Sequence, residues 1–209
     1  MQVIGITGPS GAGKSLLCRF LENNNIPCID ADSVYHSLLV PPSDCLDAIR
    51  ATFGNRVMAK DGSLDRTALA AIVFSDEKKL TLLNSTVLDY VLVRIRELIG
   101  EYRADGYTVV AVDAPTLIES GFDRECTEVI SVLAPTEIRV ERIMKRDGLS
   151  ESAARARIDA QKKESFYIEH SDAVLENGKN EAEFISTAEN ILAKFLSLRQ
   201  NAEGTDDKI

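Results

Sequence analysis

Gly8-Pro9-Ser10-Gly11-Ala12-Gly13-Lys14-Ser15 follows the apolar run Val3 to Ile6 and precedes Leu16, Leu17, Phe20 and Leu21, which recur at helical spacing. A short β-branched run, a glycine-rich turn and an amphipathic helix are the three parts of a phosphate-binding loop, and the spacing is G-x-x-x-x-G-K-[ST]. A backbone with little Cβ obstruction can curl its N–H groups around a β-phosphate. Lys14 then reaches the β/γ oxygens and Ser15 ligates Mg²⁺. A glycine-rich turn that merely caps a helix is the alternative, and the strand before it and the helix after it argue against that reading.

The remaining sequence sets bounds on what such a loop can serve. With 209 residues the chain is long enough for one core with inserted subdomains and too short for two independent enzymes. A net charge of −9 argues against non-specific nucleic-acid binding. No stretch approaches the roughly 20 apolar residues of a membrane span, and the first residues run directly into the first strand, so a cytoplasmic protein is expected. Cys18, Cys28, Cys45 and Cys126 lack C-x-x-C spacing and read as reduced thiols. With only His36 and His170 as imidazoles, little remains for a zinc site. Oligomeric state is left open, a monomer being compatible.

Brief runs rich in Val and Ile at Val3 to Ile6, Pro27 to Ile29, Tyr107 to Val112 and Val129 to Leu133, with a weaker one at Ala173 to Leu175, read as buried parallel strands. Helix-period segments lie between them, which predicts a doubly wound α/β fold with a parallel sheet of about five strands. The core is assigned to about 1–32 and 107–200 of a single domain spanning 1–200, and 201–209 reads as a polar, frayed tail. Residues 33–106 are helical in pattern and too long for one crossover, so they form a helical insertion. Helix starts are expected at Ser63-Leu64-Asp65-Arg66 and Ser75-Asp76-Glu77-Lys78, and Leu80, Leu83, Val87, Tyr90, Val91, Ile95 and Leu98 continue one apolar face. Between Arg139 and Lys163 eight cationic side chains meet four acidic ones. Asp147-Gly148-Leu149-Ser150 breaks that segment into two helices, with Ser150 as N-cap. A solvated basic helix pair is one reading. Beside a polyphosphate site, a hinged lid over about 139–165 is the better one.

Phosphoryl transfer needs a cradle, a Mg²⁺-side carboxylate, cationic fingers and a group that orients the nucleophile. Asp113 closes the third strand at the edge where a Mg²⁺-side carboxylate would stand, unless it is only a turn residue ahead of Pro115. Asp30 and Asp32 follow the second strand, and both point to one side if the chain is still extended there. Asp32 is the candidate general base or orienting carboxylate for an acceptor hydroxyl, a role compatible with capping the next helix. His36, four residues on, shares a helical face with it and either touches substrate or packs at the surface. Arg142 and Arg146 are also four apart, which would aim both at one anion.

Taken together, Gly5-Ile6-Thr7-Gly8 through Ser15, Ile29-Asp30-Ala31-Asp32, Phe53-Gly54, Asp61-Gly62-Ser63-Leu64-Asp65-Arg66, Leu83-Asn84, Asp113-Ala114-Pro115, Arg142 through Arg146-Asp147, Arg157-Ile158 with Gln161, and Ser171-Asp172-Ala173 ahead of Asn177-Gly178 resemble the dephospho-CoA kinase family, from about Val3 to Leu196. The chain departs from it in the loop's variable places and at Leu88-Asp89. The resemblance implies transfer of the ATP γ-phosphoryl group to the ribose 3′-hydroxyl of dephospho-CoA. It also implies ATP and Mg²⁺ binding by Gly8 and by Gly11, Ala12, Gly13, Lys14, Ser15 and Leu16, and acceptor work by Asp32. Lid contacts fall to Arg142, Arg146 and Arg157, and Thr7, His36 and Asp113 are placed on the substrate side. The helical insertion would supply much of the acceptor wall. Two other readings remain: a nucleoside or nucleoside monophosphate kinase, which shares cradle and lid, and a non-catalytic nucleotide switch, against which the paired Asp30/Asp32 and the arginine-rich segment argue.

Overall fold

Strand β1 (Gln2–Thr7) is buried at every position, as a strand covered on both faces must be. The computed structural model describes residues 1–178 and 180–206. In it β2 (Cys28–Asp30), β3 (Val109–Asp113), β4 (Glu128–Leu133) and β5 (Ala173–Glu176) complete a five-stranded sheet of order β2-β3-β1-β4-β5. The central strand runs parallel to β3, with Ile6 beside Asp113, and to β4, with Thr7 beside Ser131; β4 in turn runs parallel to β5. Each expected strand is present. The third begins at Val109 rather than Tyr107 because the Tyr107 N–H still donates to the Tyr102 carbonyl at the end of the preceding helix, where the two rings meet edge to face.

The helices are α1 (Lys14–Asn23), α2 (Ala31–Ser37), α3 (Asp44–Phe53), α4 (Arg66–Val73), α5 (Glu77–Ala104), α6 (Thr136–Asp147), α7 (Glu151–Asp159), α8 (Glu164–Glu169) and α9 (Glu181–Asp206). Of the tail expected to fray over 201–209, residues 201–206 instead continue α9, and 207–209 lie outside the described residues. Among the described residues no helix is long and apolar enough to cross a membrane.

Two compact units emerge, Met1–Cys28 with the chain from Thr108 onward, and Ile29–Tyr107. In the first, Leu17, Phe20 and Leu21 of α1 and Phe184, Ala188, Leu192 and Phe195 of α9 close over Ile4, Ile6, Ala111, Ile130 and Val132 of the sheet. Each large side chain taken from water there contributes about 1.5–3 kcal/mol. In the second unit Cys45, Ile49 and Phe53 of α3 and Leu69 and Val73 of α4 pack with Leu83 of α5 around Val57. Asp65 and Asp76 cap α4 and α5 by accepting the Ala68 and Lys78 N–H groups, each at 2.9 Å, where the helix starts were expected.

The helical hairpin α6–α7 belongs to the first unit. Val140 and Ile143 pack on Ala154 and Ile158. Gly148, at φ 67°, ends α6 in the left-handed conformation, and the Ser150 hydroxyl accepts the Ala153 N–H at 3.3 Å to start α7. The Asp147 carboxylate binds the Arg146 guanidinium with both oxygens, at 2.7 and 2.9 Å, and also pairs with Arg157 across the turn. Arg146 first and then Arg157 hold that carboxyl down to about 2. Because the folded-state value is depressed, the pairing adds stability above the ordinary value of 3.8 and that contribution fades as pH falls from there through about 2. Urea titrations of wild type and Asp147→Asn should therefore differ above this window and converge within it. A constant difference would mean that the ion pairs are not its source.

Candidate active site

The loop that leaves β1 folds into a cradle because three of its residues have positive φ: Gly8 at 137°, Gly11 at 78° and Gly13 at 105°. At Gly8 a Cβ would fall 2.2 Å from the Val132 carbonyl oxygen, and at Gly13 it would fall 1.9 Å from Asn177 Nδ2. These positions need glycine both for conformation and for space. Gly13 is the residue before α1, so the N–H groups of Gly13, Lys14 and Ser15 have no intrahelical acceptor and point out of the helix start. Such a nest of amides, with the positive end of α1 behind it, suits an anion with several oxygens. Ala12 N–H donates to the Pro9 carbonyl at 3.2 Å and Leu16 N–H to Gly13 at 2.9 Å, which fixes the loop's curl. Lys14 Nζ lies over the loop and donates to the Gly8 carbonyl at 3.1 Å.

With its N–H groups turned inward, the loop turns carbonyls outward, and those carbonyls are met by guanidinium groups. Arg139, 5 % exposed, donates from Nε to the Ser10 carbonyl at 2.9 Å and from Nη2 to Gln161 Oε1 at 2.7 Å. Gln161 Oε1 also accepts the Ser10 N–H at 3.2 Å. Arg142 Nη1 donates to the carbonyls of Gly11 and Ala12 at 3.2 and 3.1 Å, while its Nη2 donates to Asn177 Oδ1 and the Gly178 carbonyl. Buried Asn177 completes the group by donating from Nδ2 to Ala12 O at 2.8 Å. Burial pushes the pKa of both arginines down from the ordinary value, yet a guanidinium stays charged.

Arg142 and Arg146, expected to share one anion, therefore diverge. The first backs the loop, and the second turns to Asp147 and to the Ser10 hydroxyl, at 3.3 Å. Arg139, given no individual role by the sequence, is buried; its place at i, i+3 and i+7 with Arg142 and Arg146 is the signal that could have put all three on one face. Asn177 and Gln161 carried no expected role, although they stand in the motifs quoted for the family resemblance.

Asp113 ends β3 beside Ile6 and is half-buried. Its Oδ2 accepts the Cys18 thiol at 3.6 Å, and the Cys28 thiol, burial and Asp113 itself all push the Cys18 pKa up, so that thiol stays protonated. Ser15 is exposed in the first turn of α1. A hydroxyl and a carboxylate are hard oxygen donors and fit Mg²⁺ bound with a polyphosphate. Thr7 is fully buried, its hydroxyl donating to the Pro115 carbonyl at 3.4 Å.

In the second unit, Asp30 caps α2. Its Oδ1 accepts the Asp32 N–H at 3.0 Å and its Oδ2 the Ser33 hydroxyl at 2.6 Å. The chain has left the extended conformation by Ala31, so strand alternation does not set these two carboxylates. Asp32 lies exposed in the first turn of α2, and His36, also exposed, is one helical turn further along that face. The same unit holds a cleft of about 420 Å³ between α3 and the turn after it, lined by Ser43, Asp47, Arg50, Asn55 and Lys60 among others.

Gly13→Ala should abolish nucleotide binding, with a loss of at least about 100-fold, and destabilise the fold by about 1–3 kcal/mol. Nucleotide titration and urea unfolding would measure both, and retained binding would contradict the cradle.

The dephospho-CoA kinase family model matches residues 2–183. A dephospho-CoA kinase of Shouchella clausii is 37% identical over 174 residues, which cover 83% of this chain and 88% of that protein. Among solved structures, TT1252 from Thermus thermophilus superposes with a TM-score of 0.77 at 32% identity, covering 92% of this chain and 97% of its own. Dephospho-CoA kinase from Campylobacter jejuni gives a TM-score of 0.68 at 25% identity, covering 93% and 98%. A glycine-lined anion cradle built on the central strand of a parallel sheet, in a chain related to these proteins over most of its length, leads to one assignment: the chain belongs to the dephospho-CoA kinase family.

Proposed function

We infer that this chain transfers the terminal phosphoryl group of ATP to the 3′-hydroxyl of dephospho-CoA, giving coenzyme A and ADP, the last step of coenzyme A synthesis. The observation that carries the donor side is the cradle itself, three positive-φ glycines and a lysine at the head of α1. The acceptor's identity rests on the family.

Loose phosphoryl-transfer transition states ask for charge neutralisation and alignment more than for covalent help. Within the stretch Gly11 to Leu16, the amides of Gly13, Lys14 and Ser15 and the Lys14 ammonium take the negative charge of the β/γ oxygens, while the Ala12 and Leu16 amides hold the loop's curl. Ser15 and Asp113 are the residues that would hold Mg²⁺, which would supply further charge neutralisation. Arg142 supports the cradle from behind. Arg146 and Arg157 exchange the Asp147 carboxylate for phosphate oxygens when the donor binds, which makes α6–α7 the lid. Asp32, exposed and not engaged in capping, orients the acceptor hydroxyl and accepts its proton. His36 stands one turn further along α2, the Ile29–Tyr107 unit supplies residues for acceptor binding, Asp113 serves the substrate side, and Thr7, fully buried, acts only by holding the Pro115 carbonyl. The four free thiols fit a reducing cytoplasm.

A panel of acceptors at fixed Mg-ATP tests the assignment: ADP release should depend on dephospho-CoA. Phosphorylation of a nucleoside monophosphate with none of dephospho-CoA would reject it. Asp32→Asn should lower kcat by about 100-fold or more with little change in the KM for ATP. A loss confined to the KM for ATP would move Asp32 to the donor side.

A further inference from the structure

Ser10 sits at the tip of the cradle, and all three of its polar groups are bound by the segment that follows β4. Its N–H goes to Gln161 Oε1, its carbonyl accepts from Arg139 Nε, and its hydroxyl accepts from Arg146 Nη2. Because Gln161 Oε1 also accepts from Arg139 Nη2, the bonds close a ring: Ser10 N–H to Gln161, Gln161 to Arg139, Arg139 back to the Ser10 carbonyl.

Two donors converge on one amide oxygen, one from the loop and one from a buried cation. Without that oxygen the Ser10 N–H and one guanidinium nitrogen lose their acceptor, and the Ser10 peptide is held on one side only. We propose that Gln161 is a positioning residue that fixes the tip of the phosphate loop through Ser10 and Arg139, and so sets the affinity for the nucleotide's phosphates. This rests on the reading of the loop as a triphosphate site and is independent of the acceptor. The geometry needs an acceptor at this spot, not a carboxamide as such: Gln161→Glu keeps the oxygen, Gln161→Leu keeps only the volume, and Gln161→Asn draws the oxygen back by one methylene.

Calorimetric titration with a non-hydrolysable ATP analogue and Mg²⁺ reads the effect without any acceptor, so a failure to phosphorylate dephospho-CoA would leave the result interpretable. The expected outcome is a Kd raised about tenfold in Gln161→Leu, raised less in Gln161→Asn, and within about twofold of wild type in Gln161→Glu. In steady-state assays the KM for ATP should rise while the KM for the acceptor stays put. Unchanged analogue affinity in folded Gln161→Leu or, should that variant not fold, in Gln161→Asn would overturn the proposal. So would equal losses in the Glu and Leu variants, or an acceptor KM that rises as much as the ATP KM; a lower melting temperature with unchanged affinity would show a merely structural role.

Discussion

A loop that aims its amide hydrogens at a common point must turn carbonyl oxygens the other way, and buried carbonyls without donors are costly. In this protein the carbonyls of Ser10, Gly11 and Ala12 face α6 and the end of β5, and each is bonded to Arg139, Arg142 or Asn177. Much of the architecture around the site follows from that requirement. The sheet order sets β1 between β3 and β4, so that whatever follows β4 passes behind the loop. Helix α6 follows β4, and its inner face carries arginines where a packing helix would ordinarily carry aliphatic residues. The remaining strand, β5, is followed directly by Asn177, whose main-chain N–H is tied to the Leu133 carbonyl at 2.7 Å, so the side chain arrives with fixed direction.

Guanidinium groups suit this task better than ammonium groups. Arg139 reaches a carbonyl and an amide oxygen at once, and Arg142 reaches four oxygens from two nitrogens. A planar fork with five donors can do this while staying charged under partial burial. The positive charge then lies behind the cradle as well as in it, and this adds to the field that a polyphosphate would meet.

Local pattern carried most of the fold. Five β-branched runs became five strands, Asp65, Asp76 and Ser150 became caps, and Gly148 became the break between α6 and α7, because each depends on a few neighbouring residues. The cradle was legible for the same reason: its glycines, lysine and serine are contiguous. What stayed hidden lies across long separations. Whether Arg142 faces phosphate or loop carbonyls depends on how α6 is rotated against a segment 131 residues earlier, and spacing alone gave the shared helical face without its target. The capping of α2 fell to Asp30 rather than Asp32, a choice made where the chain leaves the strand, and composition holds no sign of which of two nearby carboxylates will turn back.

The bond from Asn177 to Ala12 spans 165 residues. On a ribosome the cradle's glycines emerge well before the side chains that set their shape. The nest's support from Asn177 is therefore complete only once the neighbouring strand β5 lies in the sheet. Contacts of such long range are slow to form because loop closure precedes any reward for making them. A ligand that grips the finished nest and not the open chain would draw the whole carboxyl-terminal third into the native population by mass action.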